Sequence, residues 1–193
     1  MHFSFLGLGN MGAPLAMNLL KAGEKLNIYT RRDACAEDFT SHGATAAAKI
    51  ADLADCDVLC TCLPMPQHVM DTVLGSDGLY AKMRPGSIHL EFSTLDPATA
   101  EKLAQAAAAR GIGYVQATVS KTPAIAAEGN APFFVGGDRP SVEKLMPILK
   151  KIGKPHDLRT VDAACAVKLI SNLIGMSNVA LVAEGLRVGK LAG

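Results

Sequence analysis

The most restrictive feature of this chain is a run of glycines set between a strand and a helix. The apolar segment Phe3-Ser4-Phe5-Leu6 leads directly into Gly7-Leu8-Gly9-Asn10-Met11-Gly12, and the helix-like stretch Ala13–Lys21 follows. In that context a G-x-G-x-x-G run is a phosphate cradle rather than an ordinary turn. Gly7 permits the tight turn, Gly9 lets the backbone approach a pyrophosphate, and Gly12 lets the helix pack close to the strand. The helix N-terminus contributes free N–H groups and the positive end of its dipole. Gly7, Leu8, Gly9, Asn10, Met11 and Gly12 therefore read as one wall of a dinucleotide site.

The rest of the chain keeps the same rhythm. Strand-like and helix-like segments alternate at His2–Leu6, Met11–Lys21, Lys25–Thr30, Cys35–His42, Val58–Leu63 and Gln67–Leu74, with a further short helix before Val58. The alternation continues with a strand at Ser87–Phe92, a helix at Pro97–Arg110, strands at Tyr114–Ala117 and Pro132–Val135, and a helix at Arg139–Ile152. Asp96 and Pro97 mark one helix start and Gly111 its end, while Asp138 and Gly153 bracket the other. His156–Arg159 reads as a short edge strand. Such a pattern predicts an α/β fold of the Rossmann type, a doubly wound and mostly parallel sheet.

From Asp162 onward about thirty residues pass without a turn signal, which as one helix would reach about 45 Å and project beyond the core. The expected division is a dinucleotide-binding domain over 1–161 and a long helix over 162–193. Its segment LISNLIGMSNVALVAEGL is apolar on most sides but is interrupted by Ser171, Asn172, Ser177 and Asn178. It is therefore expected to fall short of a membrane span and to be buried against protein, most simply in a two-fold homodimer.

Charge and cysteine usage narrow the partners. The 19 basic and 18 acidic side chains nearly cancel, leaving no broad footprint for nucleic acid or an anionic membrane. A small molecule or a second copy of the chain is the expected partner. Five cysteines without C-x-x-C spacing, and five histidines with no paired spacing, argue against zinc and for a reduced, cytoplasmic protein.

The second strand ends in Ile28-Tyr29-Thr30-Arg31-Arg32, where an acid about twenty residues after the glycines would hold the ribose hydroxyl of NAD. Arg31 and Arg32 stand there instead, and their guanidinium groups suit a 2′-phosphate. NADP is the expected cofactor, with NAD the weaker alternative because Asp33 follows one position later.

FLGLGNMG at the start, TRR after the second strand, CLPMPQHV, EFSTLDP, VSKTPAIAAEGNAPFFVGGD and AVKLISN together make the whole chain resemble one family. It resembles the 3-hydroxyisobutyrate dehydrogenases, β-hydroxyacid dehydrogenases related to 6-phosphogluconate dehydrogenase. The resemblance implies hydride transfer between a nicotinamide cofactor and a small β-hydroxy acid, probed through a cleft that a helical domain or partner subunit completes. This chain stops inside the transition to that helical domain, so a fragment or a cleft closed by another chain is expected.

By the same resemblance, Leu63 and Pro64 line the cofactor, while Ser93 and Thr94 sit near nicotinamide and substrate. Lys168 is the catalytic lysine, with Asn172 one turn on. A free lysine with a pKa near ~10.4 is a poor base at neutral pH, so its surroundings would have to lower that value. Ser120 and Lys121 fall in the substrate loop. Two departures stand out: Glu91 replaces an aspartate, and Ser120-Lys121-Thr122 replaces Ser-Gly-Gly, with Lys121 able to supply a cation for an acidic substrate. A non-catalytic nucleotide-binding module and an imine-reductase-like enzyme are the competing readings.

Overall fold

The computed structural model describes all residues from Met1 to Gly193. Its first half runs β1 (His2–Leu6), α1 (Gly12–Lys21), β2 (Lys25–Tyr29), α2 (Asp33–Ser41), β3 (Thr45–Ala46), a 3-10 turn at Ile50–Ala54, β4 (Val58–Thr61) and α3 (Pro66–Val73). After a second 3-10 turn at Leu79–Ala81 come β5 (Ile88–Glu91), α4 (Pro97–Ala108), β6 (Gly113–Val119), α5 (Pro123–Ala127), β7 (Pro132–Gly137), α6 (Arg139–Ile152), β8 (Lys154–Asp157) and α7 (Val161–Ala192). The strands form one sheet in the order β3-β2-β1-β4-β5-β6-β7-β8. All neighbours are parallel except β6 and β7, which pair antiparallel.

Helices cover both faces, so the central strands are buried on two sides. Phe3, Phe5, Ile28, Val58, Cys60, Leu90 and Phe133 pack on one face with Leu15 and Leu19 of α1 and Leu145 and Leu149 of α6. Leu6, Leu59 and Tyr114 pack on the other with Val69 of α3, Leu103 of α4 and Tyr80. The strand order reverses between β1 and β4. Chain segments leaving the carboxyl ends of those two strands diverge, and open α/β sheets bind ligands in that crevice.

The expected helix signals hold. Asp96 accepts from Thr99 N–H (2.9 Å) at the start of α4, and Asp138 accepts from Ser141 N–H (3.1 Å) at the start of α6. Two elements lie elsewhere than expected. The edge strand β8 is Lys154–Asp157 rather than His156–Arg159, because an edge strand tolerates Pro155 and the chain turns away at Arg159, whose φ is +73°. A short helix, α5, occupies Pro123–Ala127, capped by the Thr122 hydroxyl accepting from Ile125 N–H (3.5 Å). Asn18 Nδ2 of α1 donates to Ala126 O (2.7 Å) and ties α5 to the glycine-loop helix.

The final helix is 32 residues long, about 48 Å at the α-helical rise. Its first turns dock on the sheet, with Val161, Ala164 and Cys165 buried and Thr118 Oγ1 donating to Ala164 O (3.1 Å). Beyond Lys168 its apolar side chains stand in the open, Leu173, Met176 and Leu186 each about 70% exposed (68%, 69% and 71%). The expectation that this segment falls short of a membrane span is overturned on length and composition. An 18-residue window has a mean hydropathy of 1.6, and 11% of it is buried within the chain.

Candidate active site

The glycine loop leaves β1 at the point where the sheet order reverses. Gly7 has φ +102°, and a Cβ there would stand 2.2 Å from the Cys62 carbonyl oxygen; a Cβ on Gly12 would stand 1.9 Å from Gly7 O. Both positions are closed to any side chain. At Gly9 nothing lies within 4 Å of the place a Cβ would take, so its backbone faces open space on the ligand side. No side chain caps the start of α1, which leaves its N-terminal N–H groups available to an anion. These three features fit a pyrophosphate.

Two adjoining cavities open from this loop, and Gly7, Gly9, Leu63 and Pro64 belong to both. The first, about 460 Å³, is also lined by Asn10, Met11, Gly12, Ser93, Thr94, Lys121 and Lys168. The second, about 630 Å³, is also lined by Leu8, Tyr29, Thr30, Arg31, Arg32 and His68. No carboxylate lines either cavity. Segments far apart in sequence therefore converge on one continuous groove.

Within the second cavity the two arginines differ. Arg32 donates through Nη2 to Leu8 O and so braces the glycine loop, whereas Arg31 is exposed and free of such a tie. Asp33 opens α2 in its first turn, where the helix dipole favours an acid.

In the first cavity Lys168 projects from the docked part of α7. Burial without a counter-charge disfavours its ammonium form and lowers its pKa from the ordinary lysine value. Thr94 is exposed to the cleft, while Ser93 is buried and held from three sides. Its Oγ accepts from Leu63 N–H (2.8 Å), its N–H donates to Glu91 Oε1 (2.6 Å), and its carbonyl accepts from Gln116 Nε2 (3.0 Å). These bonds lock the loops after β4 and β5 together.

Two expected residues stand apart from the cavity. Ser120 follows β6 and is buried, its N–H donating to Pro132 O (2.9 Å), and Asn172 is exposed one turn beyond Lys168. Neither lines the cleft as this chain forms it. Of the loop residues that replace the expected glycines, only Lys121 lines it, because the Thr122 side chain is engaged as the α5 cap.

Behind Ser93 lies a buried polar chain that the sequence reading passed over. Tyr80 Oη and His89 Nδ1 are 2.6 Å apart, His89 Nε2 and Thr61 Oγ1 are 2.7 Å apart, and the Thr61 hydroxyl donates to Glu91 Oε2 (2.6 Å). Burial raises the Glu91 pKa to about 7 and lowers that of His89 to about 3, so both groups favour their neutral forms. The available signal was the i, i+2 spacing of His89 and Glu91, which puts both on one face of a central strand.

Comparison with known proteins supports the same region. Residues 2–170 match the family model described as the NAD binding domain of 6-phosphogluconate dehydrogenase. The chain is 39% identical to a protein of Pseudomonas aeruginosa named NAD-dependent L-serine dehydrogenase, over 99% of this chain and 67% of that one. It is 34% identical to the 3-hydroxyisobutyrate dehydrogenase of the same organism, over 96% of this chain and 63% of that one. A solved structure described as Psf3 in complex with NADP+ and 2-OPP superimposes with a TM-score of 0.87 at 27% identity, covering 97% of this chain and 68% of that one. The chain thus spans about two thirds of the length of these relatives.

Proposed function

This chain belongs to the family defined by the NAD-binding domain of 6-phosphogluconate dehydrogenase, and from that premise we propose that it transfers hydride between NADP(H) and a small β-hydroxy acid or its semialdehyde. The single observation that carries the reading is the position of Lys168. It lines the same cavity as the glycine loop, Ser93 and Thr94, and burial draws its pKa downward.

The proposed division of labour follows the groove. Gly7, Gly9 and the start of α1 bind the pyrophosphate, Leu63 and Pro64 cover the dinucleotide, and Ser93 and Thr94 fix the loop beside the reacting end. A nicotinamide cofactor held there would supply the hydride donor or acceptor. Lys168 moves the accompanying proton at the substrate oxygen: its neutral amine takes it from the hydroxyl in oxidation, and its ammonium returns it in reduction. Asn172 would orient the lysine or substrate once a further surface closes the cleft, and Ser120 supports the substrate loop from below.

NADP is chosen over NAD because Arg31 lines the second cavity unpaired and no acid stands there for a ribose hydroxyl. One relative is named NAD-dependent, so this choice rests on the side chains of this chain. We further propose a boundary near residue 161 between the nucleotide-binding unit and α7, a cytoplasmic location, and association of two copies through the exposed apolar surface of α7. The direct test is reduction of NADP+ and of NAD+ with 3-hydroxyisobutyrate as substrate. Turnover with a clear preference for NADP+ supports the reading, and cofactor binding without turnover of any β-hydroxy acid contradicts it.

A further inference from the structure

Behind the wall of the cleft sits an acid that the fold does not require. Glu91 is fully buried, yet it is bonded to both loops that form that wall. Its Oε1 accepts from Ser93 N–H (2.6 Å) and its Oε2 from the Thr61 hydroxyl (2.6 Å), while Ser93 and Cys62, the residue after Thr61, line the cavity. Its charge is felt at that wall, because burial first and the Glu91 carboxylate second push the Cys62 thiol up to about 12. No cation neutralises it. Its single ion-pair partner is His89, Nε2 3.6 Å away, and burial drives that ring to its neutral form. A glutamine would make the same bonds without the cost of a buried charge, so packing alone does not account for a carboxyl here.

The hydrogen-bond chain behind Glu91 accommodates both of its protonation states. With the carboxyl ionised, Tyr80 O–H points to His89 Nδ1, His89 Nε2–H to Thr61 Oγ1, and Thr61 O–H to Glu91 Oε2. With the carboxyl protonated, its O–H points to Thr61 and the same contacts run in reverse, ending on the Tyr80 oxygen. Gain or loss of the proton therefore turns hydroxyls and exchanges a tautomer without moving an element. The other titratable groups facing Glu91 do not compete near neutral pH. Burial pushes Cys62, after β4, and Cys165 of α7 up to about 12, and it raises Cys60 of β4, Tyr80 of the second 3-10 turn and Tyr114 of β6 well above their ordinary values. It holds His89 at about 3. Across the wall the charged groups of the cleft are Lys121 and Lys168.

An oxidised nicotinamide ring carries a positive charge that the reduced ring lacks, and a buried carboxylate attracts a cation across a low-dielectric wall. We propose that Glu91 senses the redox state of the cofactor, ionising when NADP+ occupies the cleft and holding its proton when NADPH does, so that the chain favours the oxidised form increasingly as pH rises. When NADP+ binds, the carboxyl O–H bond breaks and the proton passes to solvent; when NADPH replaces it, a proton returns. No electron moves in this step. This deepens the proposed function and rests on its placement of the reacting end of the cofactor beside Ser93 and Thr94.

The test is a binding measurement and needs no substrate. Dissociation constants of NADP+ and NADPH are measured on the whole chain at intervals across neutral pH, and their ratio cancels the titration of the 2′-phosphate that both carry. NADP+ should gain about tenfold on NADPH in a step near neutral pH, the linkage expected when bound NADP+ makes the carboxyl about ten times stronger as an acid. Calorimetry near pH 7, in buffers of different ionisation enthalpy, should show NADP+ releasing about half a proton more than NADPH. The step should vanish in Glu91→Gln, persist in Lys168→Met, and move to higher pH in Thr61→Val, which removes a hydrogen bond from the carboxylate. A flat ratio in the wild type, equal proton release by the two cofactors, or a step untouched by Glu91→Gln would overturn the proposal. So would a step lost in Lys168→Met, which assigns it to the lysine. Should Glu91→Gln fail to fold, an unmoved step in Thr61→Val overturns the proposal in its place. Binding of both cofactors without a step leaves the proposed function standing, whereas failure of both to bind overturns that function and this proposal with it.

Discussion

Replacing Glu91 with Gln should change how stability depends on pH, by an amount that follows from the burial of one carboxyl. In the folded chain Glu91 keeps its proton up to about pH 7, because burial disfavours its charge more than the bonds from Ser93 and Thr61 favour it; its ordinary value is 4.5. Between those two pH values the folded state holds a proton that the unfolded state has lost. Stability from this group is thus fully present below pH 4.5 and declines as pH rises to about 7. At about 1.4 kcal/mol per pH unit the decline is about 3 kcal/mol. His89 acts in the opposite sense. Its pKa falls from 6.5 to about 3, so its contribution is present above 6.5 and is lost as pH falls toward 3. In the wild type the two slopes cancel over much of the acidic range.

Glutamine preserves the geometry: its Oε1 can accept from Ser93 N–H and its Nε2 can donate to Thr61 Oγ1, whose hydroxyl then turns toward His89. The variant cannot ionise. Urea unfolding followed by circular dichroism at intervals from pH 4 to 8 gives the stability of each protein. Their difference should rise in favour of Glu91→Gln by about 3 kcal/mol between pH 4.5 and 7 and be level on either side. A pH-independent difference, or one that falls as pH rises, would refute the argument that burial holds this carboxyl neutral.

Other expectations concern the groove. Gly9→Val should fold normally, since open space surrounds the new Cβ, yet lose cofactor binding because its side chain occupies the pyrophosphate approach; unchanged NADPH affinity in a folded variant would contradict the cradle. Arg31→Ala should weaken NADPH by about 10- to 100-fold, the worth of a hydrogen-bonded charge, while leaving NADH nearly unchanged. Arg32→Ala should instead weaken both cofactors together, because Arg32 braces the glycine loop at Leu8 O. Fluorescence titration of each variant with NADPH and NADH separates these outcomes.

Much of this architecture was legible because its signals are local. The helix starts at Asp96 and Asp138, the glycine loop and the alternation of apolar runs all report on neighbouring residues, and apart from α5 and β8 they appear where expected. The site signals that were legible in the same way are Arg31 and Arg32 at the end of β2 and the loops after β4 and β5. What escaped depends on contacts between distant strands. Thr61, His89 and Glu91 form one chain only because β4 and β5 pair in the register that sets Thr61 beside Glu91. Thr122 read as a side chain in the substrate loop, yet it caps a helix too short to show a period. The edge strand β8 was displaced because a proline there reads as a breaker, although an edge position needs no N–H from it.

If Lys168 moves the proton that accompanies hydride transfer, the Lys168→Ala variant should keep its cofactor and lose its chemistry. Its NADPH dissociation constant and its single-turnover rate with a β-hydroxy acid or semialdehyde should be measured beside the wild type across pH. The dissociation constant should be unchanged and the rate lower by about 100- to 10,000-fold, the usual worth of a positioned acid or base. The pH dependence that the wild type owes to this lysine should disappear with it. A variant that turns over at the wild-type rate with the wild-type pH profile would remove Lys168 from the proton transfer.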